Sequence, residues 1–165
     1  MINSKLIYKI LGQLLFIEAF LLFISLLVAY YYQQDDIFAF VVATLTTIGG
    51  GLILKWKGHG ADNSMSRRDA YLVVSLSWII FSLFGTLPFM VSGYINNFTD
   101  AYFETMSGFT TTGATILDAV ECFPHGLLFW RSLTQWIGGL GIVFFTIALL
   151  PSLVGGQTKV FAAEA

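Results

Sequence analysis

Long uncharged segments separated by short polar ones dominate the hydrophobic pattern of the chain. The first runs from Ile10 to Tyr32 and contains a single charged residue, Glu18. It is too long for the apolar core of a signal peptide, so it predicts a retained transmembrane helix. The second, Ile37 to Leu54, has 18 uncharged residues. At 1.5 Å per residue these make about 27 Å of helix, which just spans a bilayer core.

The polar segment over residues 55–69 contains the start signal for the next helix. Its last four residues, Ser66-Arg67-Arg68-Asp69, resemble a capping box with Asp in place of Glu, so a helix is predicted to begin there. The following 30 residues, Ala70 to Thr99, carry no charge. A helix as far as about Ser92 is enough to span the bilayer, and Pro88 is expected to kink its outer end.

A short helix is predicted next, over residues 99–107, with Gly108 as its stop. Asp100 and Glu104 would lie in its first turns, where acidic groups favour the helix dipole. Nine residues make about 14 Å of helix, which is half a membrane. The segment is therefore predicted to enter the bilayer without crossing it.

An uncharged run rich in hydroxyl groups and glycine follows the short helix. Residues 108–115 read Gly-Phe-Thr-Thr-Thr-Gly-Ala-Thr, and threonine and glycine are poor helix formers. Non-helical backbone at membrane depth is tolerated only where it is buried in protein or lines water. We therefore expect irregular backbone that lines an ion path. A final long helix is predicted from about His125 to Leu150, ended by Pro151.

Charge distribution supports four full spans and one re-entrant segment, with the N-terminus in the cytoplasm. Seven of the eight basic residues then share one side: Lys5, Lys9, Lys55, Lys57, Arg67, Arg68 and Lys159. The exception is Arg131. The opposite side collects the acidic residues Asp35, Asp36, Asp100, Glu104, Asp118 and Glu121. A fifth full span at residues 99–117 would move Lys159 to the other side, so the re-entrant arrangement is preferred.

Composition indicates an all-α integral membrane protein. Hydrophobic residues make up 56% of the chain, charged residues 11%, and the mean hydropathy is +0.77. A globular protein usually carries about a quarter charged residues. No basic cluster is long enough to predict nucleic-acid binding. Cys122 is the only cysteine, which excludes an intrachain disulfide and a cysteine-based metal site. No nucleophile–base pair is visible, so an enzyme is not expected.

The threonine-glycine run has the composition that a potassium selectivity filter requires. Such filters replace the hydration shell of the ion with backbone carbonyl oxygens. The chemistry needs small residues, a glycine able to adopt positive φ and a hydroxyl group. The carbonyl end of the preceding helix favours a cation, and an outer ring of acidic residues would raise the local cation concentration. The candidate potassium-binding residues are Thr110, Thr111, Thr112, Gly113 and Ala114. They would bind the ion mainly through their backbone carbonyl groups, and Thr111 and Thr112 are favoured.

Five segments together carry a resemblance to a known family: Leu87-Pro88-Phe89, Thr99 to Glu104, Ser107 to Thr115, Phe129-Trp130-Arg131 and Gln135 to Ile142. On these residues the chain resembles the membrane subunit of the bacterial Trk potassium uptake system, in the wider Trk/Ktr/HKT superfamily. The resemblance covers nearly the whole chain. It implies two leading transmembrane helices, then four non-identical helix–pore-helix–filter–helix repeats in one polypeptide. It also implies potassium as the transported ion, the bacterial inner membrane, a homodimer and a cytoplasmic nucleotide-binding regulatory subunit.

The expected organisation is two leading transmembrane helices (1–57), a cytoplasmic loop (58–69), the first repeat (70–158) and a tail (159–165). One repeat supplies one quarter of a filter, so three further repeats are needed to enclose an ion. The chain is therefore expected to be a fragment, a truncated gene product or one part of a split four-repeat potassium uptake protein. An alternative stays open, in which the chain is a non-conducting membrane structural or assembly fragment and the threonine-glycine loop is only a packed turn.

Two charged residues, Glu18 within the membrane and Arg131 near the outer end of the final helix, have roles that the sequence leaves open. Glu18 is either a functional carboxylate or a neutral side chain hydrogen-bonded between helices. Arg131 either braces the short helix by pairing with Glu104 or Asp118, or extends to the membrane interface.

Overall fold

A computed structural model of the chain describes residues 2–62, 66–117 and 119–141, and the described residues form helices and turns without strands. The helices are α1 (Ser4–Tyr32), α2 (Ile37–Lys57), α3 (Arg67–Gly85), α4 (Leu87–Val91) and α5 (Phe98–Phe109). A 3-10 turn covers Val120–Cys122, and a sixth helix, α6, is described over residues 125–141. The predicted continuation of α6 to Leu150 and the tail at residues 159–165 lie outside the described residues.

Within the described part of the chain, three helical segments are long and apolar enough to cross a membrane by length and composition. They are Ser4–Tyr32, Ile37–Lys57 and Arg68–Val91, the last of which combines α3 with α4. The predicted all-α membrane fold is therefore confirmed, and the predicted short segment is α5, whose 12 residues make about 18 Å of helix.

Glycine allows α1 and α2 to pack as a close hairpin. A Cβ atom on Gly12 would lie 2.8 Å from the backbone nitrogen of Lys55 and 2.9 Å from the carbonyl oxygen of Gly51. Small residues at such a crossing let two membrane helices approach closely. Of the three consecutive glycines in α2, Gly51 packs against Gly12 of α1 and Gly50 against Phe84 of α3, whereas Gly49 has open space around it.

The predicted capping box at the start of α3 is confirmed. Ser66 Oγ accepts a hydrogen bond from the Asp69 amide, and the Asp69 carboxylate accepts one from the Ser66 amide at 3.0 Å. The other carboxylate oxygen of Asp69 accepts from the Asn3 amide at 3.0 Å. One side chain therefore holds the starts of α1 and α3 together.

The predicted interruption near Pro88 is also present, as a break between α3 and α4 at Thr86. Proline has no amide hydrogen and its ring clashes with the carbonyl group four residues earlier, so the helix cannot continue unchanged. The carbonyl oxygen of Gly85, at the break, accepts a hydrogen bond from the Trp130 indole nitrogen at 2.9 Å. α6 therefore satisfies a backbone group that the break leaves accessible.

The prediction that Gly108 ends the short helix is wrong, because α5 continues through Gly108 to Phe109. A Cβ atom on Gly108 would meet the Thr134 hydroxyl of α6. The glycine serves close packing between the two helices and is not a helix stop. At the other end, the Asn97 side chain caps α5 by accepting from the Thr99 amide at 3.0 Å.

The main core lies around α5 and α6. Its fully buried members come from α1, α2, α4, α5, α6 and the turn before α5, and they are Leu22, Ala29, Phe40, Ala43, Phe89, Ile95, Ala101, Phe109, Leu127 and Trp130. The short helix is thus enclosed by the rest of the bundle on one side, which fixes where the chain that follows it can run.

Candidate ion-binding loop

The segment after α5 has the irregular backbone that the sequence predicts. Gly113 has a φ of +74°, as expected for the glycine of the run. Thr111 also has a positive φ, +54°, which is uncommon for a residue with a side chain. The Thr111 hydroxyl donates to the carbonyl oxygen of Thr110 at 2.7 Å. The turn is therefore built from two left-handed residues that are two positions apart.

Hydrogen bonds fold the loop back onto the end of α5. The Thr112 amide donates to the Ser107 carbonyl oxygen at 3.0 Å, and the Ser107 hydroxyl donates to the Ala114 carbonyl oxygen at 2.6 Å. No residue in the described part of the chain donates to the carbonyl oxygens of Thr111, Thr112 or Gly113. Three of the five candidate residues therefore keep carbonyl groups available for an outside ligand.

The five candidate residues lie together, on a face that the described residues do not cover. Residues 111–116 are all exposed, and Thr110 is half-buried. The Thr110 hydroxyl donates to the Met106 carbonyl oxygen at 2.8 Å and lies 2.8 Å from the Thr112 hydroxyl. Hydroxyl and carbonyl oxygens thus share one small surface at the end of α5.

Glu104 binds the loop on its buried side. Its side chain is buried, with 2% of the residue exposed, and it accepts hydrogen bonds from three groups. These are the Thr115 hydroxyl at 2.9 Å, the Ile116 amide at 3.2 Å and the Arg131 Nε at 2.6 Å. One carboxylate therefore joins α5, the loop and α6, and charge-assisted hydrogen bonds of this kind are stronger than neutral ones.

This position corrects two expectations about Glu104. It lies in the middle of α5, not in a first turn where it would favour the dipole, and it does not belong to an exposed acidic ring because it is buried and paired. For Arg131, the predicted brace is confirmed with Glu104 as the partner. The other candidate partner, Asp118, lies outside the described residues.

The close fit of α6 against α5 and α3 depends on glycine. A Cβ atom on Gly138 would meet the carbonyl group of Phe109, and one on Gly141 would lie 3.2 Å from the Trp78 ring. Both residues therefore serve close helix packing. Gly139 differs, since its Cβ would lie 3.9 Å from the Thr111 side chain in ordinary contact.

The ligands that the loop offers are neutral oxygens. In the described ranges no group of three or more His, Cys, Asp or Glu side chains is placed to hold a metal ion. Carbonyl oxygens at this density are the ligands that potassium filters use. The arrangement suits a monovalent cation better than a transition metal, which prefers nitrogen or sulfur ligands.

Two contacts of the site had little signal in the sequence. The bond from Ser107 to the Ala114 carbonyl joins residues seven apart, a spacing that belongs to no regular element. The attachment of Thr115 to Glu104 was not predicted either. The available signal was charge, because Glu104 and Arg131 are oppositely charged residues in largely apolar segments, and such residues tend to pair.

Known proteins resemble this chain over most of its length. The family model TrkH, described as a cation transport protein, matches residues 33–165. The Trk system potassium uptake protein TrkH of Halomonas elongata is 38% identical over 163 residues, which are 98% of this chain and 34% of that protein. Its Escherichia coli K12 counterpart is 35% identical, with the same two coverages. The crystal structure of the potassium transporter TrkH from Vibrio parahaemolyticus matches with a TM-score of 0.83 and 32% identity, over 89% of this chain and 32% of that one.

The chain spans about a third of the length of the curated relatives that it matches. These relatives are transporters and not enzymes. Because the family model covers well over half of the residues, the chain belongs to the TrkH family of cation transport proteins.

Proposed function

We propose that this chain supplies one quarter of a potassium-selective filter in a potassium uptake protein of the bacterial inner membrane. The ion ligands are the carbonyl oxygens of Thr111, Thr112 and Gly113, with Thr110 and Ala114 at the two ends of the same loop. The observation that carries the proposal is the combination of free carbonyl groups on an exposed loop with a buried carboxylate that holds the loop from behind.

The chemistry requires both parts of that combination. A cation gives up its water only if oxygens already stand in place to replace it, so the loop must be held before the ion arrives. Glu104 and Ser107 hold it through side chains that point away from the exposed face. The loop begins directly after α5, whose carbonyl end carries a partial negative charge that favours a cation.

One loop cannot surround an ion, so the remaining ligands come from elsewhere. The relatives named above as potassium uptake proteins are about three times as long as this chain. We assign the other three quarters of the filter to three further repeats. The exposed face at residues 111–116 is where those repeats meet this one.

The same proposal covers organisation, orientation and assembly. Residues 1–57 are the leading hairpin, 58–69 a cytoplasmic loop, 70–158 the first repeat and 159–165 a tail. The N-terminus is cytoplasmic, in accord with the side on which most basic residues fall. The complete protein is a homodimer that works with a cytoplasmic nucleotide-binding regulatory subunit, and potassium is its cargo.

Rubidium uptake into vesicles tests the assignment of the filter, with the full-length protein that contains this chain. Gly113→Asp is expected to abolish uptake, since it places a charge and a strained backbone among the ligands. Gly60→Asp is the matched control, because Gly60 also has a positive φ (+71°) and no atom within 4 Å of its Cβ position, but lies in the turn after α2. Undiminished uptake by Gly113→Asp would refute the filter and favour a loop that is only a packed turn.

A further inference from the structure

The turn between α1 and α2 contacts the start of α6, 91 residues further along the chain. Asp36 Oδ2 accepts a hydrogen bond from the Leu127 amide at 3.1 Å. Gln34 Oε1 accepts one from the His125 amide at 2.7 Å and lies 2.9 Å from His125 Nδ1. The rings of Tyr32 and His125 are stacked, with centroids 4.0 Å apart. The leading hairpin therefore covers the N-terminal end of α6.

These contacts supply a cap that α6 lacks in its own sequence. The first amide groups of a helix have no partner within the helix, and a Ser, Thr, Asp or Asn at its start normally accepts from them. The residue before α6 is Pro124, which has no polar side chain. Asp36 and Gln34 take that role from a different part of the chain, so the start of α6 is satisfied only where it meets the α1–α2 turn.

Close packing shows that the fit is specific. A Cβ atom on Gly126 would meet Asp36 Oδ2 and would lie 2.8 Å from the Ala29 Cβ and 3.0 Å from the Phe40 ring. Asp36 is completely buried. No side chain larger than that of glycine fits at residue 126 while the cap is in place.

The same helix holds the ion-binding loop further along its length. Arg131 follows Leu127 by about one turn and pairs with Glu104 at 2.6 Å, while Gly138 packs on the carbonyl group of Phe109. The distance from Leu127 to Gly138 is about 17 Å of helix. Because a helix moves along its axis as a stiff element, a shift at Leu127 is passed to both contacts.

We propose that Asp36 is a positioning residue for ion selection. By capping α6 it fixes the position of this helix along its axis, and thereby the position of the ion-binding loop. This inference rests on the proposed function of the loop. It gives the leading hairpin a part in ion selection, although none of its residues lies in the loop.

The test is the ratio of rubidium to sodium uptake in vesicles, per amount of full-length protein present. Asp36→Ala is expected to lower the ratio by up to about fivefold, the factor reached if the whole free energy of one lost helix cap acts on the loop. Asp36→Asn should restore it, because an amide oxygen still accepts from Leu127. Asp35→Ala is the control, since Asp35 is the exposed neighbour of the same charge. A wild-type ratio in Asp36→Ala, or an equal loss in Asp35→Ala, would overturn the proposal.

If Asp36→Ala does not accumulate in the membrane, a second variant tests whether the cap of α6 positions the loop. Gln34→Ala removes only the acceptor of the His125 amide, and hydrogen exchange of the full-length protein then reports on the loop. Exchange at the amides of Thr112 and Ile116 is expected to quicken, and unchanged exchange there would overturn the proposal. If the filter assignment were wrong instead, the result would differ. The wild-type protein would then show no ion preference, or Gly113→Asp would keep its uptake.

Discussion

Glu104 and Arg131 form an ion pair of 2.6 Å between the middle of α5 and the first turns of α6. The carboxylate also holds Thr115 and Ile116, so this pair is the point at which the short helix, the loop and the final helix meet. Its removal therefore affects the loop from behind, without touching any candidate ion ligand.

Breaking the pair from the arginine side is expected to be the more damaging change. Arg131→Met leaves a buried charge on Glu104 and should lower the free energy of unfolding by about 3 kcal/mol. Glu104→Gln should cost less, about 1 kcal/mol, because the amide still accepts from the loop and the partly exposed Arg131 can reach water. Unfolding in detergent measures both. The double variant should lose less than the sum, and strictly additive losses would show that the pair has no coupling.

Adjacent glycines of α6 provide a matched steric comparison. Gly138→Ala should lower the free energy of unfolding by about 2 kcal/mol, because its Cβ would meet the backbone of Phe109. Gly139→Ala should be tolerated, since its nearest contact is 3.9 Å away and alanine is the better helix former. Thermal unfolding of the two variants side by side checks this, and equal effects would contradict the packing described.

The Ser107 hydroxyl is expected to matter for ion preference. Ser107→Ala removes the donor to the Ala114 carbonyl, a bond worth about 1 kcal/mol, and should lower the ratio of rubidium to sodium uptake as the loop loosens. Ser132→Ala is the control, because that exposed hydroxyl also donates to a carbonyl group, but within α6. If both variants keep the wild-type ratio, the Ser107 bond does not shape the filter.

The cap at Asp36 predicts a pH dependence of stability. Burial raises the pKa of Asp36, the amide groups of Leu127 and Gly126 partly offset this, and the neighbouring Asp35 raises it slightly. The pKa of Asp36 is higher in the folded protein than its unfolded-state value of about 3.9. Asp36 therefore stabilises the fold at pH values below about 3.9, and this contribution to stability is lost as the pH rises through the folded-state pKa. The melting temperature of the wild type relative to Asp36→Asn should therefore rise as pH falls from 7 to 4. A constant or falling difference between the two proteins would contradict the assignment.

Glu18 does not make the predicted interhelical hydrogen bond with any described residue, and substitution tests whether the carboxylate is functional. Its side chain is buried in α1, and neither carboxylate oxygen has a hydrogen-bond partner among the described residues. If the role is only structural, Glu18→Met should raise the free energy of unfolding by about 1 kcal/mol, because an unsatisfied buried group is removed. Ile17→Met, on the exposed side of the same turn, should change little. Loss of ion uptake by Glu18→Met at unchanged protein level would instead identify a functional carboxylate.

Local signals in the sequence predicted most of the elements. The capping box at Ser66, the interruption near Pro88 and the half-length helix before the threonines all depend on neighbours within a few residues, and all are present. The stop at Gly108 was wrong because the same residue type that ends helices also permits close helix packing, and only the position of Thr134 distinguishes the two uses.

Contacts between distant segments were harder to predict. The pairing of Arg131 was anticipated as one of two alternatives, with two candidate partners, because acidic residues lie nearby in the sequence. The contact of Asp36 with Leu127 was not, since an aspartate after a polar turn reads as a solvated surface residue. A helix start such as Pro124, which has no cap of its own, was the available signal that a cap had to come from elsewhere.

The position of a bound ion would show which residues of the loop contact potassium. Crystals of the full-length protein grown in rubidium would give an anomalous diffraction signal at each ion. We expect a peak in contact with the carbonyl oxygens of Thr111, Thr112 or Gly113. A rubidium peak elsewhere in the pore, with none at these three residues, would contradict this expectation.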